Sequence, residues 1–228
     1  MYVSKEDKRL GPITGNYPDM KDRCISKATA EKYQVFVPED SFYKYGYPLF
    51  RDGKHVANKY RLAGEKKGFS VDGDFNKSEL FGREVFPAGS AKTITVTEGY
   101  EDAMAAFELQ GSKYPCVSVH SASTARKDCA DNFEYLMSFD TIVLCFDADE
   151  AKILPDGTKS FPGQEAAQAD AALFPAKKVR VLTLQRGKDA NDYLRAGLRK
   201  EFMDEWWKAP TWTPDGIILG TEIWDDIV

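Results

Sequence analysis

The sequence predicts an α/β fold in which a parallel sheet is flanked by helices, with a smaller mixed α+β lobe on its N-terminal side. The first observation is that apolar runs alternate with helix-like segments of about 10–15 residues after residue 92. The second is a set of short aromatic-rich runs before that point, which is typical of antiparallel strands. A chain of 228 residues with 43% hydrophobic content can bury the core of one or two domains.

The N-terminal lobe is predicted to contain one short helix and three antiparallel strands. Ser26 is a residue type that caps helix N-termini, and helix formers follow it. The connector FPAGSAK, at residues 86–92, contains Pro, Gly and Ser and ends this lobe. The predicted bounds are 21–33 for the helix and 33–40, 46–52 and 55–62 for the strands.

The C-terminal part is predicted to alternate strands with helices, which indicates parallel strands joined by right-handed crossovers. Gly111 closes the first of these helices. The strands are expected at 93–99, 116–120, 141–147 and 178–184, and the helices at 100–111, 124–138, 164–174, 189–197 and 198–209. Ligands of such sheets bind beyond the carboxyl ends of the strands.

Charge is divided unevenly along the chain. The total is −5, but residues 1–92 contain 17 Lys and Arg against 13 Asp and Glu, a net of +4. Residues 93–228 contain 14 against 23, a net of −9. Two interpretations stay open: a solvated surface of mixed charge, or a polyanion-binding lobe beside a cation-binding lobe.

Composition argues against membrane and exported proteins. No run approaches the roughly 20 apolar residues of a membrane span, and no apolar segment of a signal peptide follows the first residues. We therefore expect a soluble cytoplasmic protein with no membrane partner. The four cysteines are scattered without a C-x-x-C pair, so we expect reduced thiols rather than disulfides or a zinc knuckle.

Acidic residues follow the predicted parallel strands at their carboxyl ends. Glu98 ends the first strand, Asp147 and Asp149 end the third, and KDAND (188–192) follows the fourth. A lone D-x-D is more often a turn or a helix cap, but a glutamate that ends another strand of the same sheet favours a metal site. Mg²⁺ prefers such oxygen ligands, and the cation would offset the repulsion between the acids.

These residues carry a resemblance to a known family. VTEGYEDAM (96–104), followed by LCFDADEA (144–151), resembles the Toprim domain that primases, type IA and II topoisomerases and some nucleases share. KVRVLTL, KDAND and W-x-PDGII extend the similarity to the primase half of short-tailed-phage primase–helicases and to the related mitochondrial Twinkle helicase. The resemblance implies a Toprim-like parallel sheet and covers nearly the whole chain from about residue 15.

The resemblance also implies roles for individual acids. Glu98 matches the catalytic glutamate of the Toprim family, and Asp102 lies one helical turn later and can support it. Asp147 and Asp149 match the metal-binding pair, with Asp189 and Glu98 as further acids of the metal site. The expected cofactor is Mg²⁺ or Mn²⁺.

Basic residues are expected to bind nucleotide or DNA. A cluster in the N-terminal lobe resembles the basic region of phage primases, and lysines there would offset triphosphate charge; a merely solvated surface is the alternative. Two residues at the start of the second helix could bind phosphate, and a histidine near the cleft could contact a nucleotide or be a core residue. The residues are Lys59, Arg61, Lys66, Lys67, Lys77, Arg126, Lys127 and His120.

The resemblance implies a DNA primase core that synthesises short RNA primers on single-stranded DNA by metal-dependent nucleotidyl transfer in phage replication. Two alternatives stay open: a single-stranded-DNA-binding module without primer synthesis, and a Toprim nuclease. The expected partners are single-stranded DNA, ribonucleoside triphosphates, a replicative helicase and a DNA polymerase, in the host cytoplasm.

The implied division is a basic primase lobe at 1–90, a Toprim domain at 91–210 and the start of a linker toward a helicase domain at 211–228. The sequence departs from the family in two respects. Residues 152–162 are an insertion, expected to form a hairpin at the mouth of the site, and the four-cysteine zinc module is absent from the sequence.

Overall fold

The computed structural model describes residues 15–64, 68–148, 152–153 and 159–214. The predicted fold class is confirmed: a four-stranded parallel sheet flanked by helices stands beside a three-stranded antiparallel sheet. A two-stranded antiparallel pair is added within residues 152–160.

The antiparallel sheet belongs to the N-terminal lobe. Its strands are β1 (Tyr43–Arg51), β2 (Lys54–Leu62) and β3 (Phe69–Gly73), in that order. Asp52 and Gly53 join β1 to β2 with φ values of 50° and 71°, which is the left-handed pair that a tight hairpin turn requires. A register shift between Leu49 and Phe50 follows the turn, and beyond it Tyr47 of β1 faces Lys59 of β2.

One predicted strand of this lobe is wrong. Residues 33–40 form no strand and contribute a single bridge, between Phe36 and Gly46. Gln34 has a φ of 57°, and Pro38 has no N–H to donate, so the segment cannot extend as a ladder. The third strand is instead β3, which the sequence prediction left unassigned.

The helix of this lobe is shorter than predicted. A 3₁₀ turn at Lys21–Arg23 and the left-handed Cys24 (φ 55°) precede α1 (Lys27–Lys32). The predicted cap is confirmed, because Ser26 Oγ accepts a hydrogen bond from the N–H of Thr29 at 3.3 Å.

Residues 93–209 contain the strands β4 (Thr93–Thr97), β5 (Cys116–Ser118), β6 (Thr141–Cys145), β7 (Lys152–Ile153), β8 (Lys159–Ser160) and β9 (Val179–Val181). Four of them form the parallel sheet, in the order β5-β4-β6-β9, and β7 and β8 form the separate antiparallel pair. The helices are α2 (Tyr100–Leu109), α3 (Ala125–Asp131), α4 (Phe133–Met137), α5 (Pro162–Ala171), α6 (Ala190–Arg195) and α7 (Arg199–Lys208). Helix α2 packs on β4 and β5, and α5 packs on β6 and β9.

Two of these elements differ in detail from the prediction. The helix expected at 124–138 is divided into α3 and α4 at Asn132, whose side-chain amide donates to the carbonyl of Asp128 at 2.8 Å. The hairpin expected in the insertion is present as the antiparallel pair β7 and β8.

One apolar core joins the two sheets. Ile94, Val96 and Leu144 of the parallel strands are fully buried, and the same cluster includes Tyr33 from the N-terminal lobe. The Tyr33 hydroxyl donates to the carbonyl of Cys116 at 2.8 Å, so its polar end is satisfied inside the core. All four cysteines are free thiols. Within the described ranges, no helix has the length and apolar character that crossing a bilayer demands.

Candidate metal and nucleotide site

Three carboxylates converge at the carboxyl edge of the parallel sheet. Asp102 lies in the first turn of α2, Asp147 follows β6 by two residues, and Asp189 caps α6. One oxygen from each lies within 4.8 Å of an oxygen of the other two. The chain brings them together because parallel strands end at one edge and their helices begin there.

Gly99 makes room for the first of these acids. A Cβ at this position would stand 2.3 Å from Oδ2 of Asp102, which is closer than any real contact. Asp102 Oδ1 accepts a hydrogen bond at 3.1 Å from the backbone N–H of Asn191, in the first turn of α6. The carboxylate is therefore held between the start of α2 and the start of α6.

Burial and the two neighbouring acids destabilise the charge of Asp102. Burial raises the pKa of Asp102 well above its ordinary value, and the charges of Asp189 and Asp147 raise it further. Burial also raises the pKa of Asp189, although the N–H of Asp192, which donates to Asp189 Oδ1 at 2.7 Å, opposes that shift. Lys188 Nζ lies 2.9 Å from Asp147 Oδ2 and supplies one positive charge. A cluster of hard oxygen donors with unbalanced negative charge fits Mg²⁺ or Mn²⁺.

Glu98 occupies a neighbouring position. It follows β4 directly, is half-buried, and lines a cavity together with Asp102 and Asp189. Among the described residues, the carboxylates close enough to share one metal ion are those of Asp102, Asp147 and Asp189, and Glu98 is not one of them. Asp149, the second acid of the predicted D-x-D pair, lies outside the described residues.

The cavity has a volume of about 340 Å³ and lies between the two sheets. Its acidic side is formed by Glu98, Asp102 and Asp189. Its opposite side, the cationic wall, carries cationic and aromatic side chains from the N-terminal lobe: Arg23, Tyr47, Lys59, Arg61 and Phe69. A cavity of this size is comparable to a small-ligand site.

Lys59 is the cationic side chain that burial affects most clearly. Its Nζ donates to the carbonyl of His120 at 2.8 Å and lies over the rings of Tyr100 and Phe69, at 4.3 and 4.7 Å. Burial lowers the pKa of Lys59 to about 8, although the charge of Glu101 raises it. Lys59 is thus mostly protonated at neutral pH and loses its charge in mildly alkaline solution.

His120 is part of the cavity wall, but both of its ring nitrogens are engaged. Nδ1 lies 2.6 Å from the Tyr100 hydroxyl and Nε2 lies 3.0 Å from Ser78 Oγ. Its backbone N–H donates to Asp128 Oδ2 at 2.9 Å. Burial lowers the pKa of His120, which keeps the ring neutral at physiological pH.

Comparison with known proteins agrees with this architecture. Residues 95–194 match the Toprim-like family. The chain is 36% identical over 219 residues to the DNA helicase/primase of Enterobacteria phage T3, covering 96% of this chain and 36% of that protein. It is also similar to the primase fragment of the bacteriophage T7 primase–helicase, at 34% identity and a TM-score of 0.69, covering 84% of this chain and 75% of that one.

The chain belongs to the Toprim primase family of the phage primase–helicases.

A second T7 structure contains primase domains of the same family. It describes the lagging-strand DNA polymerase interacting with primase domains of two gp4 subunits, bound to an RNA/DNA hybrid and dTTP. The present chain resembles it at 34% identity and a TM-score of 0.72, covering 86% of this chain and 94% of that one. The chain spans about a third of the length of the T3 relative.

Several basic residues predicted for nucleic acid lie elsewhere in this primase-family fold. Lys77 is exposed and pairs with Asp74 at 3.0 Å. Arg126 donates to the carbonyl of Ala169, and Lys127 pairs with Asp131 on α3. The three do not line the cavity. Lys66 and Lys67 lie outside the described residues.

Two charged residues of the cavity, Glu101 and Arg23, were not predicted from the sequence. Glu101, next to Asp102, is a largely buried carboxylate that contacts Arg23 and Arg61. The sequence shows it only as a second acid in YED, and its burial arises because the antiparallel sheet packs against α2. Arg23 had no signal beyond being one basic residue in a segment that was interpreted as helical.

Proposed function

We propose that the chain is the RNA polymerase core of a DNA primase, which synthesises short RNA primers on single-stranded DNA by metal-dependent nucleotidyl transfer in phage replication. The convergence of Asp102, Asp147 and Asp189 within 4.8 Å, beside a cavity with a cationic opposite wall, is the observation that carries the proposal. Such a site holds negative phosphate between a bound cation and protein cations.

The acids are assigned roles in that reaction. Asp102, Asp147 and Asp189 would hold the cation, with Asp149 and Glu98 as further ligands. Glu98 would also be the catalytic carboxylate, and Asp102 would support it. Bound Mg²⁺ or Mn²⁺ would stabilise the attacking 3′-oxygen and the leaving pyrophosphate. The protein's own contribution is positioning: Gly99 and Asn191 hold the Asp102 carboxylate at the cavity edge.

The cationic wall is assigned to the incoming ribonucleoside triphosphate. Lys59, Arg61 and Arg23 offer charge-assisted donors to phosphate oxygens. Phe69 is 45% exposed at the cavity, so its ring is available for stacking against a base. Lys77, Arg126 and Lys127, which do not line the cavity, are assigned to contacts with the template, and Lys66 and Lys67 are assigned to phosphates of the nucleotide or template.

The partners follow from the same proposal. The T3 relative is named a helicase/primase, and a T7 primase domain has been seen with a DNA polymerase and an RNA/DNA hybrid. By extension, this chain would act with a replicative helicase and a DNA polymerase in the host cytoplasm. Residues 1–90 would form the template-facing lobe, 91–210 the Toprim domain and 211–228 the beginning of the helicase linker.

Ribonucleotide incorporation on a single-stranded template tests the proposal. The wild type is expected to make short RNA with Mg²⁺ or Mn²⁺, and Glu98→Gln and Asp147→Asn are expected to lose at least about 100-fold in rate. Full activity in both variants overturns the site assignment. Strong DNA binding without any product would indicate a binding module, and metal-dependent cleavage of the template would indicate a nuclease.

A further inference from the structure

Glu101 contacts two arginines of the cationic wall of the cavity. Its Oε2 lies 3.1 Å from Arg23 Nη2 and 3.3 Å from Arg61 Nη1, and its Oε1 accepts from the Tyr47 hydroxyl at 2.8 Å. Only 12% of the Glu101 side chain is exposed. One carboxylate on α2 thus fixes two guanidinium groups that come from separate parts of the N-terminal lobe, the 3₁₀ turn and β2.

These side chains face the space in which the proposed substrate binds. Glu101, Arg23 and Arg61 all line the cavity that Asp102 and Asp189 border. An arginine side chain has many rotamers, and fixing it before the ligand arrives removes part of the entropic cost of binding. A guanidinium has five N–H donors, so it can hold Glu101 and still donate to a phosphate oxygen.

A second chain of contacts links Arg23 to the acid cluster. The Arg23 carbonyl accepts from Asn191 Nδ2 at 2.7 Å, and Arg23 Nη1 donates to Asn191 Oδ1 at 3.5 Å. The backbone N–H of Asn191 in turn donates to Asp102 Oδ1 at 3.1 Å. The position of Arg23 is therefore tied both to Glu101 and to the residue that orients Asp102.

We propose that Glu101 is a positioning residue that holds Arg61 and Arg23 in the cavity wall so that their guanidinium groups face the phosphates of a bound ribonucleoside triphosphate. The inference rests on the proposed function and adds a residue to which no role has been assigned. The one negative charge of Glu101 lies between two positive charges, so the group as a whole keeps a net positive charge toward the ligand.

The test compares Glu101→Gln with Glu108→Gln in steady-state primer synthesis. Glu101→Gln is expected to raise the KM for ribonucleotide about tenfold while kcat stays within about twofold, because it weakens phosphate binding rather than the reacting groups. Glu108 is the matched control: it lies on the same helix and accepts from Ser26 N and Oγ, at 2.8 and 2.7 Å, but does not line the cavity. Glu108→Gln is expected to keep the wild-type KM.

A double-mutant cycle separates positioning from a general loss of structure. Since Glu101 is inferred to act through Arg61 and Arg23, adding Glu101→Gln to Arg61→Gln should raise KM less than it does in the wild type, because only the effect through Arg23 remains. If the KM increase of the double variant equals the full product of the increases of the two single variants, the inference is overturned. If Glu101→Gln does not fold, as judged by its thermal transition, Glu101→Asp replaces it in the cycle with the same expectation.

Direct binding of ATP to the same proteins distinguishes the two proposals. A wild type that binds ATP and makes primers, with Glu101→Gln equal to it in both KM and ATP affinity, overturns the role of Glu101 alone. A wild type that neither binds ATP nor makes primers overturns the proposed function, and the inference with it. Weakened ATP binding in Glu101→Gln, with wild-type binding in Glu108→Gln, supports both.

Discussion

At the residue scale, the position of Asp102 depends on the missing side chain of Gly99. A Cβ on residue 99 would lie 2.3 Å from Asp102 Oδ2, so the carboxylate occupies the space that this Cβ would need. The backbone of Gly99 is extended, with φ −113° and ψ 146°, so any residue could adopt it. The need for glycine is therefore one of space at the acid cluster, and it is a need of the site rather than of the fold.

Gly99→Ala is predicted to reduce ribonucleotide incorporation by about 100-fold, because the carboxylate must move by roughly 1 Å or more. The rate per folded molecule measures the effect. Gly197→Ala is the control: Gly197 has a φ of 69° and no neighbour that a Cβ would meet, so its substitution strains the backbone without touching Asp102. It should lower Tm and leave the rate unchanged. Equal rates for both variants would contradict the proposed role of Asp102.

The charge of Lys59 gives a second residue-scale prediction. Burial lowers its pKa to about 8 against an ordinary 10.5, so the charge is present at neutral pH and is lost as the pH rises through about 8. The nearby charges that act on it are Glu101, Asp128 and Arg61. His120, whose carbonyl it contacts, is already neutral in this range because burial lowers its pKa. The KM for ribonucleotide is predicted to rise between pH 7 and pH 9.

Lys59→Arg isolates that titration, since a guanidinium keeps its charge over the whole range. Its KM should stay nearly flat with pH, whatever its absolute value. A wild-type profile that rises no more steeply than that of Lys59→Arg would show that Lys59 does not bind the triphosphate through its charge.

At the element scale, the helix cap that Asp189 forms can be separated from its proposed role in the metal site. Its Oδ1 caps α6 by accepting from Asp192 N at 2.7 Å, and its carboxylate belongs to the acid cluster. A serine can cap a helix but cannot replace a carboxylate at a metal site.

The free energy of unfolding of Asp189→Ser is predicted to be about 1 kcal/mol higher than that of Asp189→Ala, because both variants lose the same carboxylate and only serine keeps the cap. Both variants should lose primer synthesis and Mg²⁺ affinity to a similar extent. Urea denaturation gives the free energies of unfolding, and titration with Mg²⁺ gives the affinities. If Asp189→Ser retained wild-type activity, Asp189 would be a structural cap and no more.

Most strands of the two sheets could be predicted from the sequence, but one predicted strand was wrong and one strand was missed. The parallel strands were predictable because strands such as β6 are buried runs, from Ile142 to Cys145, that end in acids. Glu98, Asp147 and Asp189 were predicted at the correct edge because the carboxyl ends of parallel strands lie at the same edge of the sheet. The strand expected at 33–40 failed on the left-handed Gln34, which no pattern of apolar residues reports. Strand β3 was missed because its side chains are largely exposed.

The Glu101 contacts were beyond prediction for a different reason. Arg23 and Arg61 reach Glu101 only because the N-terminal lobe packs against α2, and that packing depends on the full tertiary structure. Contacts between residues so distant in sequence leave no periodicity, whereas a cap such as Ser26 leaves a local signal.

At the scale of the whole molecule, the acid cluster should lower the stability of the metal-free protein. A carboxyl group whose pKa is raised on folding contributes stability below its unfolded pKa, near 3.8 for Asp102, and loses it as the pH rises through the folded value. Neutral pH lies above the unfolded pKa, so the raised pKa of Asp102 opposes folding there, and a bound cation relieves that cost.

Asp102→Asn is predicted to raise Tm in the presence of EDTA at pH 7, by about 2–4 °C for each kcal/mol of repulsion removed. Mg²⁺ should raise the Tm of the wild type and raise that of Asp102→Asn much less. Asp131→Asn provides the control, because Asp131 is an exposed partner of Lys127 and lies outside the cluster. A lower Tm for Asp102→Asn in EDTA would indicate that its hydrogen bond to Asn191 outweighs the repulsion.

The central proposal is that Asp102, Asp147 and Asp189 hold a divalent cation against the phosphates of a nucleotide. A crystal soaked with Mn²⁺ and a ribonucleoside triphosphate tests it directly through the anomalous signal of the metal. We predict a peak about 2–2.5 Å from oxygens of these carboxylates, with triphosphate oxygens beside it and the guanidinium of Arg61 facing them. A triphosphate bound outside the cavity, or a cluster that takes up no Mn²⁺, would contradict the account.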